Sequence, residues 1–486
     1  MRKFLLQNPL HTFLLIFFLS FFLFAENTDL VKLHMMKRTL ILGTLVATLL
    51  FFAFYFIIKE RVKAGLITTF ILLALFNYGV LYDFLEGLYY KGFWPFHNIH
   101  RYSLLLMMVY IIGITWFIGK KIVIGNKINY FLNILIVSLT VFNILRVVFN
   151  QNNTNKETEL VEIAKKDTSF TQRPNVYFLV LDGYANQHIL KKYYNYDNKD
   201  FITFLESYNF YIADSSASNY FSTAPSLSST LNMDYHINDN HDYVSKMREN
   251  KVFSQFQNYG YKTYRLESGY AITNGFSHVD SVISISSPNE FERSILKYSV
   301  FRLDDLFGFL PYFRLKSQIQ KLDEISTIGS ISPKFVFIHI VAPHPPFVFD
   351  EKGNHTFSKK DGDNSWEPKS NYLAQLKYIN SVAKKFITNV ISKDSSAVFL
   401  LQSDHGPWIL SKNQNEIFET RSMILNATRY GTSKNVNHLT KKISSVNTFR
   451  VLFKNYFDST ITILNDMPMG KNELLGSKSF TDKILK

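Results

Sequence analysis

The sequence predicts a bundle of about five transmembrane helices followed by an α/β domain with a central, mostly parallel sheet. Three observations carry that expectation. Five long uncharged runs occupy the first 150 residues, three short continuous apolar runs follow residue 170, and each short run ends in polar residues. The 486-residue chain is 47% hydrophobic, 19% charged and free of cysteine. That composition excludes a disulfide framework, thiolate zinc sites, a cysteine nucleophile and a formylglycine made from cysteine.

The uncharged runs come first. They span 22 residues between Lys3 and Glu26, 20 between Arg38 and Lys59, and 19 between Lys63 and Asp83. Two more of 18 residues lie between Arg101 and Lys120 and between Lys127 and Arg146. A bilayer core needs roughly 20 apolar residues as a helix, and none of these runs carries the polar face of a soluble helix. The expected spans are 4–25, 39–58, 64–82, 102–119 and 128–149. The net charge of +14 belongs mostly here, with 14 Lys/Arg against 5 Asp/Glu in residues 1–150. It reports membrane orientation. With the amino terminus in the cytoplasm, the inside segments carry eight Lys/Arg and the outside loops five. Everything after residue 150 is then outside a cytoplasmic (inner) membrane. The first run also reads as a signal peptide, which leaves the following domain exported. A start at Met35 or Met36 would reverse the topology. The aromatic loop 83–101 suits a membrane interface.

Residues 151–171 read as a linker, 172–460 as the α/β domain and 461–486 as a tail. Asn175–Leu181, Lys334–Ile340 and Ala397–Gln402 are runs of the length and composition of strands buried on both faces. Asn371–Ile391 has apolar residues near a 3.6 period and reads as a helix. In α/β sheets ligands gather beyond the carboxyl ends of strands, and here the three runs lead into Asp182-Gly183, His339 and His344, and Asp404-His405-Gly406-Pro407. A carboxylate beside an imidazole suits zinc or manganese; equally, an Asp-His pair can be a cap beside a surface histidine. In Ser222–Asn232 (STAPSLSSTLN), Pro225 marks a helix start. Free amides there attract phosphate, and a hydroxyl is placed to attack phosphorus; a plain helix cap has the same residues.

The ordered motifs LDGY, TAPSLSSTLN, HIVAPHPPF and LQSDHGP resemble the sulfatase-like branch of the alkaline phosphatase superfamily, over roughly 172–460. With the preceding spans, the chain is similar to membrane-bound phosphoethanolamine transferases and lipoteichoic acid synthases. The resemblance implies Thr223 as nucleophile and metal contact, and Asp182, Asp404 and His405 as ligands of a divalent zinc or manganese ion. It implies His344 as a catalytic group that binds substrate or protonates the leaving group. His339 is either a further substrate-side residue or a strand histidine with a satisfied hydrogen bond. Thr223 and Leu227 stand where sulfatases have the formylglycine precursor and an arginine, which argues against sulfate-ester hydrolysis by that route. A second aspartate next to Asp182 is absent, as is any histidine between His405 and His438, so the expected site is a simple one.

The function these expectations imply is transfer of a phospho-alcohol, phosphoethanolamine or phosphoglycerol, through a phosphothreonine. The donor is a membrane phospholipid and the acceptor an envelope glycan or lipid. A membrane-anchored phosphodiesterase or phosphatase with the same site, and a degenerate non-catalytic binding domain, are the rival readings. Nucleic acid is not an expected partner, because residues 151–486 carry 39 Lys/Arg against 34 Asp/Glu.

Overall fold

The computed structural model describes residues 2–26, 33–121, 125–154, 173–236, 242–286, 288–329, 332–356, 366–432 and 436–466. The chain divides into two units, one of Met1–Val161 with Pro288–Leu306, the other of Glu162–Ser287 with Phe307–Lys486.

In the second unit, Val176–Leu181 (β1), Tyr211–Ile212 (β2), Lys262–Leu266 (β3), Ser281–Ile283 (β4), Lys334–Ile340 (β5), Val398–Gln402 (β6) and Asn426–Tyr430 (β7) form one sheet. Its order is β2-β7-β6-β1-β5-β3-β4. The pairs β6-β1, β1-β5, β5-β3 and β3-β4 are parallel, whereas β7 joins β6 and β2 in antiparallel fashion. The three apolar runs read from the sequence are β1, β5 and β6, the centre of the sheet. Every residue of these strands is buried, and successive side chains serve opposite faces. Tyr177, Leu179 and Leu181 join Val336, Ile338, Phe399 and Leu401 in one core. Phe178 and Val180 join Phe335, Phe337, Val398 and Leu400 in the other. Helix Lys369–Ile391 covers the first face through Tyr372, Leu376, Ile379 and Phe386. Helices Thr223–Asn232, Lys251–Asn258 and Thr448–Tyr456 cover the second. Each large side chain so buried contributes about 1.5–3 kcal/mol. The layering is the α/β one expected.

The first unit contains Arg2–Gln7 (α1), His11–Glu26 (α2), Lys37–Ile58 (α3), Arg61–Phe76 (α4), Tyr78–Tyr90 (α5), Ile99–Lys121 (α6) and Gly125–Thr154 (α7). Here the count of five spans needs correction. Three helical stretches, Leu33–Ile58, Ile99–Lys120 and Gly125–Phe149, are long and apolar enough to cross a bilayer. A fourth counts only if α4 and α5, bent by 47°, form one broken span. The first run is split around Pro9, which has no N–H to continue a helix, leaving α2 with 16 residues. The chain is therefore a multi-pass membrane protein with a shorter first segment than its uncharged run suggested. The expected linker begins inside α7, which continues to Thr154; residues 155–172 and, in the expected tail, 467–486 lie outside the described residues.

Candidate active site

The register of the three central strands brings the polar residues together. His339 pairs with Val180 and Gln402 with the same residue from the other side, so Asp182, His339 and the Asp404-His405 pair leave adjacent strands at one edge. Two glycines make the turns possible. Gly183 has φ +73°, and a Cβ there would meet the Trp366 ring at 2.6 Å. A Cβ on Gly406 would lie 1.9 Å from the Thr420 carbonyl oxygen, so no other residue fits after His405.

The donors converge on Asp182. His339 Nε2 lies 3.3 Å from Asp182 Oδ2, and His405 Nε2 lies 3.5 Å from both Asp182 Oδ1 and Asp404 Oδ2. One ligand atom each from Asp182, His339 and Asp404 falls within 4.8 Å of the others, and the same holds for Asp182, His344 and His405. Thr223 is the first residue of its helix, is buried, and places Oγ1 3.5 Å from His405 Nε2. Pro225, expected at the helix start, occupies the third position. It removes one amide, leaving those of Thr223 and Ala224 ahead of Ser226, whose N–H bonds Ser222.

Two of the three imidazoles have Nδ1 on a backbone carbonyl. Nδ1 of His344 is 2.7 Å from the Pro345 carbonyl, and Nδ1 of His405 is 3.0 Å from the Gly406 carbonyl. A carbonyl only accepts, so both Nδ1 atoms carry a proton and both Nε2 atoms remain for other work. His339 Nδ1 meets the Thr273 hydroxyl at 3.2 Å, which admits the same tautomer. Asp182 Oδ1, Asp404 Oδ2 and His339 Nε2 are buried without a hydrogen-bond partner among the described residues. Buried polar atoms of this kind cost about 1–3 kcal/mol each, more when charged. Acceptor-only carboxylate oxygens and an imidazole lone pair, all orphaned and facing one another, are the donor set of a divalent cation. The residues fit the metal that the sequence implied.

Electrostatics agree. Burial, then the neighbouring Asp182 carboxylate, pushes Asp404 up to about 6. Burial would also raise Asp182, but the charge of His344 and the contacts with His339 and His405 outweigh it and hold this carboxyl below its usual range. Burial and then the Arg421 guanidinium hold His405 well below an ordinary histidine. Its neutral form, the ligating one, is the favoured one.

Asp182, Thr223, Asp404 and His405 thus assemble as expected, and His344 stands half-buried beside them. His339 keeps part of the strand-histidine reading, a place in β5 and a hydrogen bond between Nδ1 and the Thr273 hydroxyl. It is fully buried among the carboxylates, and only its Nδ1 is satisfied, so it belongs with the candidate ligands rather than on a substrate face. Sequence reasoning missed the supports. Ser218 and Ser226 both donate to the Asp404 carbonyl, at 2.5 and 2.6 Å, and Arg421 donates to the Gly406 and Phe221 carbonyls. Trp366 packs edge-on to His344 at 4.8 Å. Only Ser226 carried a signal, its place in the TAPSLSS motif.

Residues 174–451 match the family model described as Sulfatase. The chain belongs to the sulfatase family. Among solved structures it is similar to the carboxyl-terminal periplasmic domain of EcEptC from Escherichia coli in complex with Zn (12% identity, TM-score 0.44, 63% of this chain and 89% of that one). It is also similar to the lipoteichoic acid synthase LtaP of Listeria monocytogenes (12% identity, TM-score 0.41, 63% and 77%). A third is the integral membrane lipooligosaccharide phosphoethanolamine transferase A of Neisseria meningitidis (12% identity, TM-score 0.39, 93% and 96%). The comparison with curated proteins gave no match.

Proposed function

We propose that this sulfatase-family protein transfers a phospho-alcohol, phosphoethanolamine or phosphoglycerol, from a membrane phospholipid to a hydroxyl of an envelope glycan or lipid. The observation that carries the reading is the Thr223 hydroxyl, set at a helix start against Nε2 of His405 and beside the orphaned carboxylates. Asp182, Asp404, His405 and His339 would hold a zinc or manganese ion, with Thr223 touching it. When bound, such an ion lowers the hydroxyl pKa and offsets negative charge on the phosphoryl oxygens.

Thr223 Oγ1, its proton already given up to solvent, attacks phosphorus and the bond from phosphorus to the diacylglycerol oxygen breaks. His344, protonated on both ring nitrogens with Nδ1–H held by the Pro345 carbonyl, gives that oxygen the proton on Nε2. A threonine-linked phosphodiester remains. In the second step His344 takes the proton of the acceptor hydroxyl, whose oxygen attacks phosphorus, and the Thr223–phosphorus bond breaks. Thr223 leaves as the alkoxide it began as, His344 is again protonated, and the diacylglycerol stays in the bilayer. The membrane helices suit a lipid donor, and the Lys/Arg bias supports a catalytic domain outside the inner membrane.

Incubation of the full chain with headgroup-labelled phospholipid, followed by peptide mass spectrometry, tests this. The expected result is a phospho-alcohol adduct on Thr223, lost together with turnover in Thr223→Ala while membrane insertion persists. Full turnover in Thr223→Ala would refute the assignment. Free phospho-alcohol in place of acceptor-linked product would make the protein a hydrolase.

A further inference from the structure

The segment Pro288–Leu306 falls inside the sulfatase match, yet it belongs to the same unit as the membrane helices. Its seat there is specific. Asn289 and Glu292 form a capping box at the start of helix Glu290–Tyr298. The same Glu292 receives both Arg38 Nε and Nη2, at 2.7 and 2.5 Å, and Asn289 Nδ2 donates to the Met35 carbonyl. Phe291 is fully buried with Phe24, Ala25, Met36 and Val147. At the start of α5 a Cβ on Gly79 would lie 2.2 Å from the Lys297 carbonyl oxygen and 2.7 Å from Tyr298 Cα. Glycine is what admits the crossing chain. Arg302 fixes the far end, 2.7 Å from Asp83 Oδ1, 3.3 Å from the Gly79 carbonyl and 4.1 Å over the Tyr82 ring.

The make-up of that seat suits a membrane boundary. A 16-residue helix such as α4 is about 24 Å long, short of the roughly 30 Å hydrocarbon core. The chain then bends by 47° into α5, which carries Asp83 and Glu86, charges that hydrocarbon excludes. With its buried face committed, the strap still exposes Tyr298, Phe301 and Leu306 by 39%, 63% and 36%. The same unit exposes Phe84, Tyr90 and Phe93 by 62%, 78% and 77%, so the strap and the end of α5 both carry exposed aromatic side chains. Exposed Lys297 lies beside it, a cation of the kind that suits a segment lying at anionic headgroups.

We propose that residues 288–306 form an interfacial strap whose outer face, Phe301 and Leu306 foremost, inserts into the lipid at the boundary of headgroups and acyl chains. The occupant of this face is the bilayer itself. The strap is then a second membrane contact made by chain that the sulfatase match encloses, independent of which reaction the active site performs.

A chain without cysteine makes the test direct. Phe301→Cys and Leu306→Cys, each nitroxide-labelled in the full chain and reconstituted into vesicles of phosphatidylglycerol and phosphatidylcholine, report collisions with oxygen and with a water-soluble nickel chelate. The oxygen-to-nickel ratio at both sites is expected to shift toward that of Ile112→Cys, an exposed position within α6, and away from Lys191→Cys on the sulfatase unit. Ratios at 301 and 306 equal to that of Lys191→Cys would overturn the proposal. Activity does not enter the readout, so failure of the catalytic assignment and failure of the strap are separate results.

Discussion

Two buried histidine-centred polar clusters, one around His11 in the membrane unit and one around Asp182 in the other, differ in their hydrogen bonding. In the membrane unit, His11 Nδ1 meets Thr69 Oγ1 at 2.7 Å and Nε2 meets Asn129 Oδ1 at 3.0 Å. Asn129 and Asn133 turn their amides onto the Leu5 and Asn8 carbonyls at the end of α1. Thr12 bridges Thr69 and the Gly65 carbonyl. Each of these side chains has a partner. Around Asp182, by contrast, two carboxylate oxygens and one imidazole nitrogen have none among the described residues. Both clusters are equally hidden from water, so burial alone does not separate them. A satisfied cluster holds helices together, whereas an orphaned one is arranged for something that arrives later.

Breaking the comparison on its catalytic side should give the largest effect. His344→Ala should lower transfer from phospholipid by about 10²–10⁴-fold, the range for a lost general acid. A nitrophenyl phosphodiester, whose leaving group needs no proton, should be spared most of that loss. Equal losses on both substrates would remove His344 from proton transfer.

A smaller effect sharpens the contrast at its border. Thr273 holds Nδ1 of His339 and is itself held by Ser268 Oγ at 2.7 Å. Thr273→Val should weaken metal binding by about 10–100-fold, as loss of an outer partner typically does, and Thr273→Ser should restore it. Competition with a chelating dye reads this without any turnover. Unchanged affinity in the valine variant would leave His339 oriented by packing alone.

The smallest effect belongs to the satisfied cluster. Asn129→Ala should destabilise the membrane unit by about 1–2 kcal/mol, seen as earlier thermal unfolding in detergent. Its metal content should stay that of the parent, and a lost metal would mean the two clusters are not separate in role.

Sequence reading succeeded where burial is symmetrical. β1, β5 and β6 are buried on both faces and spell continuous apolar runs, and their ends carry Asp182, His339, Asp404 and His405. The flanking strands hide because they are short or, though buried, carry polar side chains. Lys262–Leu266 and Asn426–Tyr430 contain arginines, Arg265 and Arg429, whose heads find carbonyl or amide oxygens inside. Supports such as Arg421 and Thr273 sit far along the chain from what they hold, and nothing local marks them. Counting uncharged residues overstated the spans, since it is blind to the break at Pro9 and the bend at Asn77. It was equally blind to a charged strap inside the sulfatase match that packs with membrane helices.

The most direct test is the metal content of the purified full chain after exposure to zinc or manganese and removal of excess, measured by inductively coupled plasma mass spectrometry. A stoichiometric divalent ion that disappears in Asp404→Asn, with folding retained by circular dichroism, is the predicted result. A wild-type protein that retains no ion under these conditions would contradict the reading of the orphaned donors.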